Sequence, residues 1–371
     1  MTIARSDLGA AVVDGKIYAI GGTNGDSVLG TNEQYDLAAN RWTDKASMPT
    51  PRFSFATAVY DDKIYCIGGV LTLDYYQDET GFSLSSVTEI YDPDTDNWTT
   101  GAPMPQGSDG QASIVNGKIY VISGNSYPSL QITQAYDPTA NQWSTKTPMP
   151  DRDGHCAASA VIGNKIYVIG GYTITPDQNV VQVYDTATDS WTAVTPPPVY
   201  MAGYYAGAVT ITIPSSTPKI EIFGLTGSAS PYSNGSTANQ IYDPTTDTWK
   251  TLTSMPTSRQ GFGIALLNNE IYTIGGFIMY YPYPDDIGSS PRFFATNERY
   301  TLSAVITMPT PTITQAPATN ATKTTLPPPT QTPPKLNIPI EDIAIGAAAV
   351  FIAIAVSALL LKTRRRKLNE G

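Results

Sequence analysis

Apolar positions in this chain fall in short runs separated by turn residues. Within Lys165–Trp191, the run Lys165-Ile-Tyr-Val-Ile169 is stopped by Gly170 and Gly171. A second run covers Val180–Tyr184, and a turn-rich stretch, Asp185–Ser190, leads to Trp191. Runs rich in β-branched and aromatic residues and bounded by Gly, Asp and Ser predict strands joined by tight turns. The unit recurs. The strand before the glycine stop begins at Lys16, Lys63, Lys118, Lys165, Lys219 and Glu270. The first position of the glycine pair falls at 21, 68, 123 (a serine), 170, 224 and 275, in steps of 47, 55, 47, 54 and 51. Five copies continue with a tyrosine and a tryptophan seven apart: Tyr35/Trp42, Tyr91/Trp98, Tyr136/Trp143, Tyr184/Trp191 and Tyr242/Trp249. The glycine-to-tyrosine distance meanwhile runs from 13 to 25. Fixed spacing is what a tight hairpin needs, since its turn sets the register. Variable spacing marks a surface loop.

One such unit cannot bury both its faces, so the copies are expected to stack about an axis with the apolar landmarks packed between them. A period near 50 with these landmarks resembles the kelch repeat, over roughly residues 4–302. The resemblance implies an all-β fold: a six-bladed kelch β-propeller over residues 1–307, one four-stranded blade per repeat. The fifth copy departs from the pattern, with a first hairpin lengthened by Ile211–Lys219 and Leu225 in place of the second glycine. Propellers of this family often close by lending a strand from one terminus to the opposite blade. Most later repeats follow a Trp, a short strand and Met-Pro, as at Met48-Pro49, whereas the first opens directly at Met1-Thr-Ile-Ala-Arg5. The sixth has Tyr300 but Thr307 at the tryptophan position. Two readings stay open. The preferred one is a misplaced start, with an export signal and the closing strand upstream. The other is export directed by the C-terminal anchor, with Ala304–Thr307 as the substitute strand.

Composition changes after residue 307. Residues 308–342 are rich in Thr and Pro and are expected to form a disordered, extended stalk, suited to O-glycans. Residues 343–361 carry no charge, and nineteen helical residues at about 1.5 Å each span roughly 28 Å, enough for one transmembrane helix. The basic tail, residues 362–371, stays cytoplasmic by the positive-inside rule, which places the propeller outside a single-pass cell membrane anchor. Net charge is −10 and the pI about 4.6, so no nucleic-acid partner is expected. Cys66 and Cys156 fall in non-neighbouring blades and are expected as unpaired buried thiols without a zinc spacing. Asn97, Asn234 and Asn320 fit the glycosylation pattern, Asn320 in the stalk being the best placed and Asn97, in a tight turn beside a tryptophan, the least.

Propellers resembling galactose oxidase need two histidines, two tyrosines and a cysteine at copper; this chain has one histidine, His155, so that site cannot be built. One histidine would suffice for a Ser-His-Asp hydrolase, but no nucleophile motif lies near it. No metal or cofactor is expected. Binding is the better reading. In a four-stranded meander the loops between strands two and three share a face with the loops between blades. The former are long and carry Tyr75, Tyr76, Tyr127, Tyr172, Tyr232, Tyr280, Tyr281, Tyr283 and Phe293; the latter carry Arg5, Arg52, Arg152 and Arg259. Tyr and Arg anchor interfaces, and Tyr rings suit sugar faces. An arginine at the start of each repeat also fits a recurring structural feature of kelch blades. The sequence therefore points to a monomeric propeller presenting this face to an extracellular protein or glycan. The enzymatic alternative is a surface carbohydrate-active propeller resembling the sialic-acid mutarotase type.

Overall fold

The computed structural model describes residues 1–73, 83–124, 130–150, 157–170, 181–198, 206–212, 216–225, 235–280 and 290–301. The chain divides into two units, Met1–Thr307 and Met308–Gly371. The expected stalk, membrane span and tail lie outside the described residues, as do Ala304–Thr307.

Twenty-five strands form the first unit among the described residues. Blade one is β1 (Gly9–Val13), β2 (Lys16–Ile20), β3 (Asn32–Asp36) and β4 (Arg41–Lys45). Blade two is β5 (Ala56–Tyr60), β6 (Lys63–Ile67), β7 (Thr88–Asp92) and β8 (Asn97–Thr100). Blade three is β9 (Gln111–Val115), β10 (Lys118–Gly124), β11 (Leu130–Asp137) and β12 (Gln142–Thr145). Blade four is β13 (Ala158–Ile162), β14 (Lys165–Ile169), β15 (Val181–Asp185) and β16 (Ser190–Val194). Blade five is β17 (Gly207–Ile211), β18 (Lys219–Phe223), β19 (Asn239–Asp243) and β20 (Thr248–Thr251). Each is an antiparallel four-stranded meander. Blade six has three strands among the described residues: β21 (Gly263–Leu267), β22 (Glu270–Ile274) and β25 (Asn297–Thr301). Between β22 and β25 a separate hairpin pairs β23 (Phe277–Tyr280) with β24 (Ser290–Phe293).

The turn chemistry explains the regularity. The first hairpins of blades one, two, three and six close on Asp14-Gly15, Asp61-Asp62, Asn116-Gly117 and Asn268-Asn269, all eight residues at positive φ. Two successive left-handed residues give the twist a two-residue hairpin needs, and Asp, Asn and Gly tolerate that conformation. The seven-residue Tyr–Trp spacing is a pairing register: Tyr35↔Trp42, Tyr91↔Trp98, Tyr136↔Trp143, Tyr184↔Trp191 and Tyr242↔Trp249 face each other across the outer hairpin. Their rings lie 4.9–5.1 Å apart.

The core is divided among six apolar clusters, each straddling two neighbouring blades. One joins Leu8 and Ile17 of blade one to Ala265, Tyr272 and Ile274 of blade six, which closes the ring. Burying these faces is the main stabilising term, at about 25 cal/mol per Å² of apolar surface. Polar joints add direction. Trp98 Nε1 donates to the carbonyl of Ala46 in blade one (2.8 Å), while Asp96 Oδ1 accepts the Ala46 N–H (2.8 Å) and the Tyr91 hydroxyl (2.6 Å). The same clamp recurs as Trp143/Asn141 on Ala102, Trp191/Asp189 on Thr147 and Trp249/Asp247 on Thr195.

Candidate binding face around the central channel

Backbone hydrogen bonds fix the face on which the long loops emerge. The strand entering blade one is paired with its own 2–3 loop, Ser6 with Thr23, at 2.9 Å in both directions. Phe53 pairs likewise with Val70 (3.1 and 2.8 Å), and Gln260 with Phe277 (3.0 and 2.8 Å). Inter-blade loops and 2–3 loops therefore form one platform around the axis, as the topology predicts.

The arginines of that platform do not reach solvent. The Arg5, Arg52 and Arg259 side chains have no accessible surface. Arg5 pairs with Glu33 and donates to the Ala19 carbonyl (2.9 Å). Arg52 pairs with Glu89 (2.5 Å) and donates to the Thr50 and Cys66 carbonyls (2.9 and 2.8 Å). Arg259 pairs with Glu298 (2.7 Å), donates to the Gly275 carbonyl (2.9 Å) and lies over the Phe294 ring at 5.0 Å. Burial pulls the Arg5 and Arg259 guanidinium groups below their ordinary values, and the facing carboxylates oppose that shift. The expectation that these three present themselves to a ligand is corrected. Each is turned inward because its fork satisfies a carboxylate, buried for Glu33 and Glu89 and partly buried for Glu298, and a carbonyl at the end of the second strand. Arg152 lies outside the described residues.

The tyrosines stand differently. Tyr280 ends β23, and only its backbone is described. Tyr75, Tyr76, Tyr127, Tyr172, Tyr232, Tyr281 and Tyr283 lie outside the described residues, as do His155, Cys156, Asn234 and Asn320. Phe293 is half-buried, stacked on Phe277 at 5.8 Å and placed against Gly25 of blade one. Asn97 is exposed at the start of β8. Cys66 is a free, buried thiol, pushed up to about 12 by burial.

Inside the platform is a cavity of about 220 Å³ lined by the innermost strands. Its polar wall comes from blades one to four, with Asp7, Ser54, Thr57, Asp109 and Gln111 among its residues, and its apolar wall from blades five and six, with Phe262 and Ile264. Asp7 sits at positive φ (54°), accepts the Ser6 hydroxyl at 2.5 Å, and leaves a buried Oδ1 without a partner among the described residues. Burial pushes its carboxyl up to about 7, and the Ser6 bond opposes the shift. Among the described residues no group of three His, Cys, Asp or Glu side chains is placed to hold a metal. The channel residues were missed in the sequence, although Asp7, Ser54 and Gly261 share one offset, two residues after the repeat's arginine.

Comparison with known proteins agrees with this architecture. Residues 90–276 match the KLHDC2/KLHL20/DRC7 Kelch-repeats domain, and residues 4–49 and 51–105 match the Kelch motif. Kelch-like protein 15 of Danio rerio is 26% identical over 260 residues, 68% of this chain and 35% of that protein. The Influenza virus NS1A-binding protein homolog of Xenopus laevis is 48% identical over 69 residues, 19% of this chain and 11% of that protein. The first curated relatives are all matched over 35% or less of their own length. Among solved structures, YjhT superposes with a TM-score of 0.62 at 17% identity, covering 81% of this chain and 95% of that one.

Proposed function

Since the chain belongs to the kelch-repeat β-propeller family, in which propellers generally serve protein interaction, we propose that it is a binding protein whose 2–3 loop face takes a protein partner. The observation that carries this is the platform. Backbone pairing and buried Arg–Glu pairs hold the loop bases rigid, while the loops themselves vary in length and concentrate tyrosine. Rigid bases lower the ordering cost of association, and aromatic loops supply anchors. The uncharged run at 343–361 and the basic tail behind it support a location of this face at the cell surface. A protein rather than a glycan is favoured by the family, and the test below separates the two.

The test uses intact cells. A photo-crosslinking residue at Leu73, exposed on the first long loop, is compared with one at Gly163 on the opposite face. Adducts from position 73 alone that survive deglycosylation of the cells support the proposal. Adducts from both positions in equal yield, or from position 163 alone, overturn the assigned face; adducts lost on deglycosylation make the ligand a glycan. Protease shaving with tags at residue 371 and within residues 281–289 tests placement. Loss of the loop tag with retention of the tail tag is expected, and retention of both overturns the surface location.

A further inference from the structure

Three side-chain oxygens in the channel lack the partner that a buried oxygen needs. Asp7 Oδ1, Ser54 Oγ and Thr57 Oγ1 are each buried with no hydrogen-bond partner among the described residues, and all three residues line the same cavity of about 220 Å³. They stand on the wall where blade one meets blade two. The Ser54 N–H donates to the Asp7 carbonyl at 2.8 Å, and Thr57 Oγ1 lies against Gly9 of β1. Buried polar atoms are nearly always paired, so three such oxygens on one wall point to an occupant that donates hydrogen bonds.

The backbone is a second observation. Asp7, Ser54 and Gly261 share one offset from the repeat's arginine, and all three are left-handed, at φ 54°, 51° and 63°. Glycine takes this backbone freely, aspartate tolerates it, and serine is strained by it. Glycine at all three positions would serve the scaffold better. Strain of this kind gathers where ligands are held.

The chemistry of the wall selects the occupant. Among the described lining residues the charged ones are Asp7 and Asp109, and none is Lys or Arg, which disfavours an anion. One unpartnered carboxylate oxygen and two hydroxyls are few for a calcium ion, which takes about six to eight oxygens. They match the three N–H donors of an ammonium group. The facing apolar wall, Phe262 and Ile264, offers contact to an alkyl stem. A methyl built on Gly261 would lie 2.8 Å from Asp7 Oδ1 and 3.2 Å from Phe277 Cε1, so an aromatic ring shields the carboxylate and an ion pair there is felt more strongly than in water. Asp7 follows Ser6, whose backbone pairs with Thr23 of the 2–3 loop, and so lies at the loop-face end of the channel.

We propose that this end of the channel is a cation site, with Asp7 as counter-ion and Ser54 and Thr57 as acceptors, for a primary alkylammonium group: the end of a partner's lysine side chain or a free alkylamine. The lysine source rests on the loop-face reading above; the site itself does not.

The test is ligand-observed NMR on the full chain with n-butylammonium and its neutral counterpart butan-1-ol. The expected Kd for butylammonium is roughly 1–10 mM near pH 8, at least about tenfold tighter than for the alcohol. It should weaken at least about tenfold toward pH 5, as the Asp7 carboxyl, at about 7, takes up its proton. Asp7→Asn keeps the shape and should bring the two probes to equal affinity. Equal affinities in the parent chain, no saturable butylammonium binding, or binding that survives Asp7→Asn overturns the proposal. On cells, the crosslinking residue at Leu73 separates the sources once the site is established. A lower adduct yield with Asp7→Asn assigns the ammonium to the partner's lysine, and an unchanged yield assigns it to a free amine. With butylammonium bound and no adducts at all, the site stands and the loop-face reading falls.

Discussion

If Arg52 belongs to the scaffold and not to a ligand site, its removal must be felt in the free protein. The Arg52 side chain has no solvent exposure and that of Glu89 has 5%. Their 2.5 Å contact is supported by the Thr50 and Cys66 carbonyls on one side and by the Thr50 hydroxyl, 2.8 Å from Glu89, on the other. Arg52→Met keeps most of the volume but strands the Glu89 carboxylate with Thr50 alone. Breaking a buried pair in this way costs about 3–5 kcal/mol. With an unfolding entropy near 2 cal/mol/K per residue over roughly 300 residues, that is a fall in Tm of about 5–8 °C.

Blade three supplies the control. It has no arginine at the corresponding place and no carboxylate either: Gln134 donates to the Gln106 carbonyl at 3.0 Å and accepts the Gln106 N–H at 3.1 Å. A neutral side chain is thus already accommodated at this position. Arg52→Met with Glu89→Gln should therefore recover at least half of the loss, a coupling of about 2 kcal/mol in a double-mutant cycle. Urea unfolding of the full chain with the four variants measures it. A single-mutant cost under about 1 kcal/mol, or additive singles, would refute the reasoning and return Arg52 to the ligand-binding residues.

The other joints make equally definite statements. Trp143→Phe keeps the ring on Tyr136 but removes the 2.9 Å bond to the Ala102 carbonyl, so a loss of about 0.5–1.5 kcal/mol is expected in urea unfolding. Gly21→Ala and Gly163→Ala share a positive φ (61° and 58°), but an added methyl at Gly21 meets the Arg52 carbonyl at 2.7 Å and at Gly163 meets nothing within 4 Å. Both should lose about 1–2 kcal/mol to backbone strain, with about 1–3 kcal/mol more at Gly21 from overpacking; equal losses would contradict the packing. The Asp7 carboxyl, at about 7 in the folded chain, binds its proton more tightly than in the unfolded chain, near 3.9. Its contribution is therefore undiminished below about pH 4 and is lost as pH rises toward 7, by up to about 4 kcal/mol. Asp7→Asn should flatten that part of the stability–pH curve, and an unchanged slope would show that Asp7 is ionised throughout.

How much of this could be read from the chain depends on how locally each feature is determined. The outer hairpin was legible because Tyr35 and Trp42 lie seven residues apart across one turn, and the turn alone sets their register. The inward direction of the arginines was not, because Glu33 stands 28 residues from Arg5 and a loop of variable length intervenes. A signal did exist. A glutamate stands two before the tyrosine in blades one, two and six, where an arginine opens the repeat, and a glutamine stands there in blade three, where none does; blade four, with Arg152 and Gln182, breaks the pattern and makes the signal a partial one. The altered titration of Asp7 has no local signature at all, since it arises only when blades one, two and six meet around the channel.

The division between constant and variable parts also says where binding specificity must sit. The clamp residues and the Tyr–Trp register keep their spacing in the blades that carry them, because a change there would unseat two blades at once. The 2–3 loops rest on backbone pairs such as Ser6–Thr23 and Phe53–Val70, which hold the loop base whatever the sequence beyond it. A residue added beyond Leu73 therefore changes the face without changing the joint, and costs little more than loop-closure entropy. A partner's selectivity can be altered in those loops while the unfolding midpoint stays fixed. Substitutions at Arg52 or Trp143 should move the midpoint first and affinity only through the population folded. A variant of either residue that lost binding at an unchanged midpoint would break that division.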